Sequence, residues 1–207
     1  VGERALPGRE SALLAREGRF PPALDADVSR PLLIAALGNP GAQYRYHRHS
    51  AGFMVAEELC RRHGWGRWAR RFSGLLLQAE LCGRDVVMVM PQTYMNLSGD
   101  SIGPTARHFR VPVSRIIALH DEVEIPFGDV RLKQGGGLGG HNGLRSMERV
   151  LGSRDFWRVR VGVGRPADTR TDLADWVLSP FTEPAAEVEA MIATAASLVE
   201  DWVEEEG

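Results

Sequence analysis

The run Gly135-Gly136-Gly137-Leu138-Gly139-Gly140-His141-Asn142-Gly143-Leu144 constrains the fold more than any other part of the chain. Glycine loses more conformational entropy on folding than any other residue. It is concentrated where the backbone must take φ > 0 or let a ligand come close. The run follows Val130-Arg131-Leu132-Lys133, which reads as a strand with two cations, and it ends at an apparent helix start. A strand, a glycine loop, a helix N-terminus and flanking cations together imply a site for something anionic. The competing reading is a mobile surface loop, and the run alone does not decide between them.

The rest of the chain alternates strand and helix patterns. Residues 32–37 are an apolar run closed by Gly38-Asn39-Pro40-Gly41, a buried strand followed by a turn. Residues 51–62 carry Phe53, Val55, Ala56 and Leu59 at helical spacing. Residues 75–81 and 86–90 read as a hairpin turning at Gly83-Arg84-Asp85. Residues 98–109 are helix-like despite Gly99, Gly103 and Pro104, and residues 116–119 form another buried strand. A helix over 142–151 stops at Gly152. Residues 157–163 alternate with period two, as a strand with one polar face does. Helices are expected over 173–178 and 184–203. The pattern predicts a single α/β domain with a mixed central sheet.

Composition narrows the functional classes. The chain has 207 residues, 43% of them hydrophobic and 25% charged, which is ordinary for a soluble globular protein. No apolar run approaches the roughly 20 residues a membrane span needs. The formal net charge is -2, so any nucleic-acid partner must meet cations gathered on one face. Cys60 and Cys82 lack metal-ligand spacing and read as buried free thiols of a reducing cytoplasm. Residues 1–30 contain Pro7, Pro21 and Pro22 and no long apolar stretch. They read as a flexible extension rather than a secretory or organellar leader, leaving residues 31–207 as the folded domain.

Each apolar strand leads to a polar cluster. The first leads to Asn39 and then Arg48-His49, and the strand over 86–90 leads to Gln92-Thr93-Tyr94-Met95-Asn96. The strand over 116–119 leads to His120-Asp121-Glu122, and the Val130 strand leads through the glycine loop to His141-Asn142. Ligands bind at the carboxyl ends of strands in open α/β sheets. If these ends converge, one cleft holds a titratable base (His49), a carboxylate (Asp121) and three neutral amides (Asn39, Asn96, Asn142). Histidine can take a proton from water near neutral pH, and a carboxylate on its far nitrogen fixes the tautomer and stabilises the imidazolium. Asparagine amides can donate to a developing oxyanion. No Gly-x-Ser-x-Gly elbow is present, so the set fits direct attack of an activated water on an acyl carbon. His63, His108 and His120 read as structural, and Tyr94-Met95 as packing, with Met95 able to line an apolar wall. Asp121-Glu122 is not read as a metal site, because strand alternation points neighbouring side chains apart.

Four motifs in order resemble bacterial peptidyl-tRNA hydrolases, and the likeness runs from about Leu32 to near the C-terminus. They are Leu37-Gly38-Asn39-Pro40-Gly41 with Tyr44 and Arg48-His49; residues 91–99; His120-Asp121-Glu122 with Pro126, Gly128 and the segment through Leu144; and residues 158–166. The resemblance implies a single α/β domain with a twisted mixed β-sheet flanked by helices. It implies cleavage of the ester between a peptide and the 3′ ribose of tRNA, without metal or organic cofactor. By the same resemblance His49 is the base and Asp121 its orienting partner. Asn39, Asn96 and Asn142 hold the peptidyl backbone, the water and the oxyanion, while Tyr44 and Met95 complete the substrate site. Lys133 and Arg160 grip the tRNA 5′ phosphate, with Arg131 assisting. A cytoplasmic monomer acting on peptidyl-tRNA at its acceptor end, with no DNA or membrane partner, is expected.

One departure stands out. The family pattern Thr-Arg-His-Asn is here His47-Arg48-His49-Ser50. Ser50 lacks the amide donor, so a shorter or water-bridged contact is expected. His47 is not expected to be the base. Two other readings stay open on the residues alone: a non-catalytic RNA-binding relative of the same fold, and a different hydrolase that uses a metal or a small ester.

Overall fold

The structure is a computed structural model, and it describes residues 30–205. The expected extension over residues 1–30 therefore lies outside the described residues, apart from Arg30. In chain order the elements are β1 (Leu32–Ala36), α1 (Ala51–His63), β2 (Ala69–Arg71), β3 (Gly74–Leu81), β4 (Arg84–Pro91), α2 (Gly99–His108) and β5 (Ile116–Glu122). They continue as β6 (Val130–Gln134), α3 (Asn142–Leu151), β7 (Trp157–Gly162), α4 (Leu173–Val177) and α5 (Ala185–Glu205). Among the described residues the strands form one seven-stranded mixed sheet in the order β2-β3-β4-β1-β5-β7-β6. The central β4, β1, β5 and β7 run parallel, while β2, β3 and β6 pair antiparallel at the flanks.

β1 is apolar throughout because both faces of the sheet are covered. Leu32, Ile34 and Ala36 pack with α1 and α5, around Leu59, Val199 and Trp202. Leu33 and Ala35 face the opposite layer, with Ile102 of α2 and Leu144 and Met147 of α3. The parallel register Ala36↔Leu119 between β1 and β5 aligns the strand ends that carry Asn39 and Asp121.

Several boundaries differ from expectation for identifiable reasons. The β3–β4 hairpin turns at Cys82-Gly83, both at positive φ (51° and 74°), so Arg84 and Asp85 belong to the strand. A two-residue turn with both residues at positive φ matches the right-handed twist of the flanking strands. β5 runs past its apolar core to Glu122 because its ladder with β7 continues through His120↔Arg160 and Asp121↔Val161. Backbone pairing is indifferent to side-chain polarity, and this extension carries Asp121 into the interior. β2 has no apolar alternation and escapes a pattern search; it is an exposed edge strand held only by β3. The polar face expected on β7 is not solvated: Arg158 is buried and donates to the Gly137 and Gly136 carbonyls (2.7 and 2.9 Å). The thiols are free, but neither is buried. Cys82 is exposed in its turn, and Cys60 is half-buried, where burial pushes its thiol up to about 11.

Candidate active site

His49 sits in a 3-10 turn, Arg48–Ser50, that leads directly into α1. Gly52 allows this helix start to press onto the sheet, since a Cβ there would run into the Leu119 and Leu37 carbonyl oxygens. His49 is thereby held over the end of β5, where its Nδ1 lies 2.9 Å from Asp121 Oδ1.

The same carboxylate oxygen has a second partner, His141 Nε2, at 3.1 Å. His141 is the N-cap of α3, and its Nδ1 accepts from the backbone N–H groups of Gly143 (3.1 Å) and Leu144 (3.3 Å). An imidazole nitrogen that accepts carries no proton, so Nε2–H must donate to Asp121. The left-handed Gly139 and Gly140 (φ 57° and 77°) turn the chain sharply enough to deliver His141 to this position. Burial alone would raise the Asp121 carboxyl. The facing His49 and His141, which attract and hydrogen-bond its anion, outweigh burial and hold it well below the usual carboxylate range. Behind them His120 is buried, with Nδ1 donating to the Asp121 carbonyl (2.7 Å) and its ring edge-on to His141. Burial first, and His141 second, hold His120 well below its ordinary value, so it stays neutral.

A cleft of about 520 Å³ opens over this pair. The structure brings Asn39, Tyr44, His49, Met95, Asn96, Asp121 and Asn142 into its lining, as expected. Asn39 is nearly buried, and its Oδ1 accepts from Met95 N (2.9 Å), leaving the amide nitrogen as its donor. Asn96 and Asn142 are exposed at the 3-10 turn Met95–Leu97 and at the first residue of α3. Met95 is only 4% exposed, so it forms floor more than surface. Tyr94, read as packing, is instead 62% exposed and lines the cleft. Ser50 does not line the cleft. It is fully buried, and among the described residues its Oγ has no hydrogen-bond partner, so the shorter contact is not made directly. His47 also lies outside the lining.

Lys133 and Arg160 lie beside the cleft rather than in it. The register pairs Arg131 with Arg160 and Lys133 with Arg158, which puts the four cations on one face of the β6–β7 ribbon. Arg160 Nε is 3.2 Å from Glu122 Oε2, and Glu122 lines the cleft, so this ion pair joins the basic edge to the site. Alternation points Asp121 to His49 and Glu122 to Arg160, as expected, and because the cleft lies at the end of β5 both residues line it.

Sequence reasoning missed three contributors. His141 was read only as the companion of Asn142, although an N-cap position after a glycine pair was the available signal. The wall formed by Leu173, Ala174, Val177 and Leu178 carries no local signal. Glu122 was considered only as a metal ligand, and its place in the cleft lining was not expected.

His49, Asp121 and His141 also have the donor types of a metal site, with their ligating atoms within 4.8 Å of one another. Their chemistry does not favour one. Binding through His141 Nε2 would require moving its proton to Nδ1, which costs both backbone bonds at the cap. The set is better described as a carboxylate accepting from two imidazole N–H groups. That arrangement leaves His49 Nε2 as the acceptor on the cleft side.

An α/β sheet with a histidine–carboxylate pair and convergent amides at its strand ends has the form of a hydrolytic enzyme. A family model described as peptidyl-tRNA hydrolase matches residues 33–207. The chain is 48% identical over 172 residues to the peptidyl-tRNA hydrolase of Nocardia farcinica, covering 82% of this chain and 89% of that protein. It is 51% identical over 156 residues to that of a Mycobacterium species (strain KMS), covering 75% and 81%. The crystal structure of peptidyl-tRNA hydrolase from Acinetobacter baumannii superposes with a TM-score of 0.74 at 33% identity, over 88% of this chain and 95% of that one. The chain belongs to the peptidyl-tRNA hydrolase family.

Proposed function

We propose that this protein hydrolyses the ester between the peptidyl group and tRNA, using His49 as general base and Asp121 as its orienting partner. The observation that carries the reading is the 2.9 Å His49–Asp121 contact opening onto the cleft. With Nδ1–H donated to Asp121, His49 Nε2 accepts a proton from water. The resulting hydroxide attacks the ester carbonyl. Asn39, Asn96 and Asn142 donate to the peptidyl backbone, the water and the oxyanion of the tetrahedral intermediate. The imidazolium then returns its proton to the departing 3′ oxygen of the ribose, and the buried Asp121 anion stabilises that cation throughout. Tyr44 and Met95 complete the substrate surface. No metal or organic cofactor takes part.

Lys133 and Arg160 hold the 5′ phosphate of the acceptor end, supported by their shared ribbon face beside the cleft. The enzyme acts as a cytoplasmic monomer on RNA rather than DNA. Residues 31–207 form its catalytic domain. Among the described residues no helix is long and apolar enough to cross a membrane.

The test is the initial rate of release of N-acetyl-aminoacyl groups from tRNA with EDTA present. Rapid release that is lost in His49→Ala, with tRNA binding kept, is expected. Near-normal turnover by His49→Ala would reject the base assignment, and loss of activity in EDTA would reject metal independence. Lys133→Ala should weaken binding of intact tRNA more than that of a short acyl-ester fragment; equal effects would reject the phosphate grip.

A further inference from the structure

Helix α4 walls the cleft with Leu173, Ala174 and Val177, joined by its C-cap Leu178, yet none of its residues is buried. A five-residue helix is unstable alone, and burial of an apolar face is what normally fixes such a segment. What fixes it here is Arg48, the residue immediately before His49. Its guanidinium is fully buried and stacks on Trp176 of α4, 3.6 Å from the ring centroid. Nη1 donates to Ser179 Oγ (2.8 Å), and Nη2 to the two Glu183 carboxylate oxygens (3.1 and 3.0 Å). The backbone adds Arg48 N to the Ser179 carbonyl (3.1 Å) and a bridge between His47 and Pro180. Trp176 Nε1 in turn donates to the Gly164 carbonyl (2.8 Å), closing residues 164–183 into a strap with Arg48 as its buckle. A planar, permanently charged guanidinium can stack on a ring and fork to a carboxylate at once; an ammonium cannot.

We infer that Arg48 is a positioning residue that holds the 164–183 strap against the cleft, and thereby sets how tightly the peptidyl part of the substrate is bound. The inference rests on the hydrolase reading of the same cleft. Arg48 does not line the cleft and acts only through the α4 wall. That wall is apolar and lacks any group that could move a proton, so its loss weakens ground and transition states alike and appears in KM rather than kcat.

Two variants test this. Arg48→Lys keeps the buried charge but cannot stack and fork together. Trp176→Leu removes the stack and leaves Arg48 intact, and it decides the question if the first variant does not fold. Amide hydrogen exchange over residues 173–178 should quicken by about tenfold or more, with β1 and β5 unchanged. KM for N-acetyl-aminoacyl-tRNA should rise roughly tenfold, with kcat within about threefold of the parent. Unchanged exchange in the folded variants would overturn the inference, as would a loosened strap with unchanged KM. A fall in kcat at constant KM would place the effect at His49 and also overturn it. If the parent enzyme released no acyl group, the functional reading would fall with the KM claim, while exchange would still decide the clamp.

Discussion

Replacing Asp121 with Asn isolates what the buried charge does. The substitution is nearly isosteric, and a carbonyl oxygen at Oδ1 can still accept from His49 Nδ1 and His141 Nε2, which now lie at 2.9 and 3.1 Å. The fold and the His49 orientation should therefore survive, while the anion facing the imidazolium is lost. The imidazolium and carboxylate charge centres are about 4 Å apart, and at an effective dielectric constant of about 20 their attraction is about 4 kcal/mol. Each 1.36 kcal/mol or so is tenfold in rate, so kcat should fall about 10³-fold. Single-turnover release of N-acetyl-aminoacyl groups measures this directly, with tRNA binding followed separately and expected to hold within about twofold. A loss below about tenfold, or one carried by binding, would refute the argument that Asp121 acts by stabilising the imidazolium. The double variant with His49→Ala should be no slower than His49→Ala alone, because the carboxylate has no base left to serve.

Other consequences follow from the same geometry. His141→Ala removes one donor to Asp121 and the α3 cap; about 1 kcal/mol of stability should go with the cap, and kcat should fall about tenfold. Unfolding in urea and steady-state kinetics measure the two, and an unchanged kcat would remove His141 from the orienting network. Gly52→Ala should cost about 1–3 kcal/mol by denaturation, since its methyl meets the Leu119 and Leu37 carbonyls; parental stability would disprove the close approach. His120 gives a pH signature. Because its folded-state value is depressed by burial, the native state binds its proton later than the unfolded chain. The stability it contributes is complete above about pH 6.5 and declines below it, by up to about 1.4 kcal/mol per pH unit. Asp121, also depressed, adds its own loss only below about pH 4. Urea unfolding of the parent and His120→Asn should therefore diverge between about pH 6.5 and about pH 5, and parallel lines would refute a buried neutral histidine.

Much of this protein was readable in one dimension. The continuous apolar run of β1, closed by a turn, reads as a strand covered on both faces, and the stop of α3 at Gly152 is local backbone chemistry. Polar residues placed directly after apolar strands announced a cleft at the strand ends, because parallel ladders align those ends. Five of the polar residues expected there, Asn39, His49, Asn96, Asp121 and Asn142, do line one cleft. What no local pattern carries is which partner each polar group meets. Strand alternation sends Asp121 to His49 and Glu122 to Arg160, as a ladder requires, but it does not reveal that a cleft at the strand end is lined by both. Ser50 stood where the family pattern has a site asparagine, yet the turn rotates it into the interior. Arg158 looked solvated by period, yet glycine carbonyls from the loop after β6 cover it. The Arg48 clamp joins residues 131 to 135 positions apart. Hydrophobic period and turn chemistry are short-range and survive in the sequence. Hydrogen-bond partnership between distant segments depends on how sheet and helices are docked, and only the tertiary structure decides that.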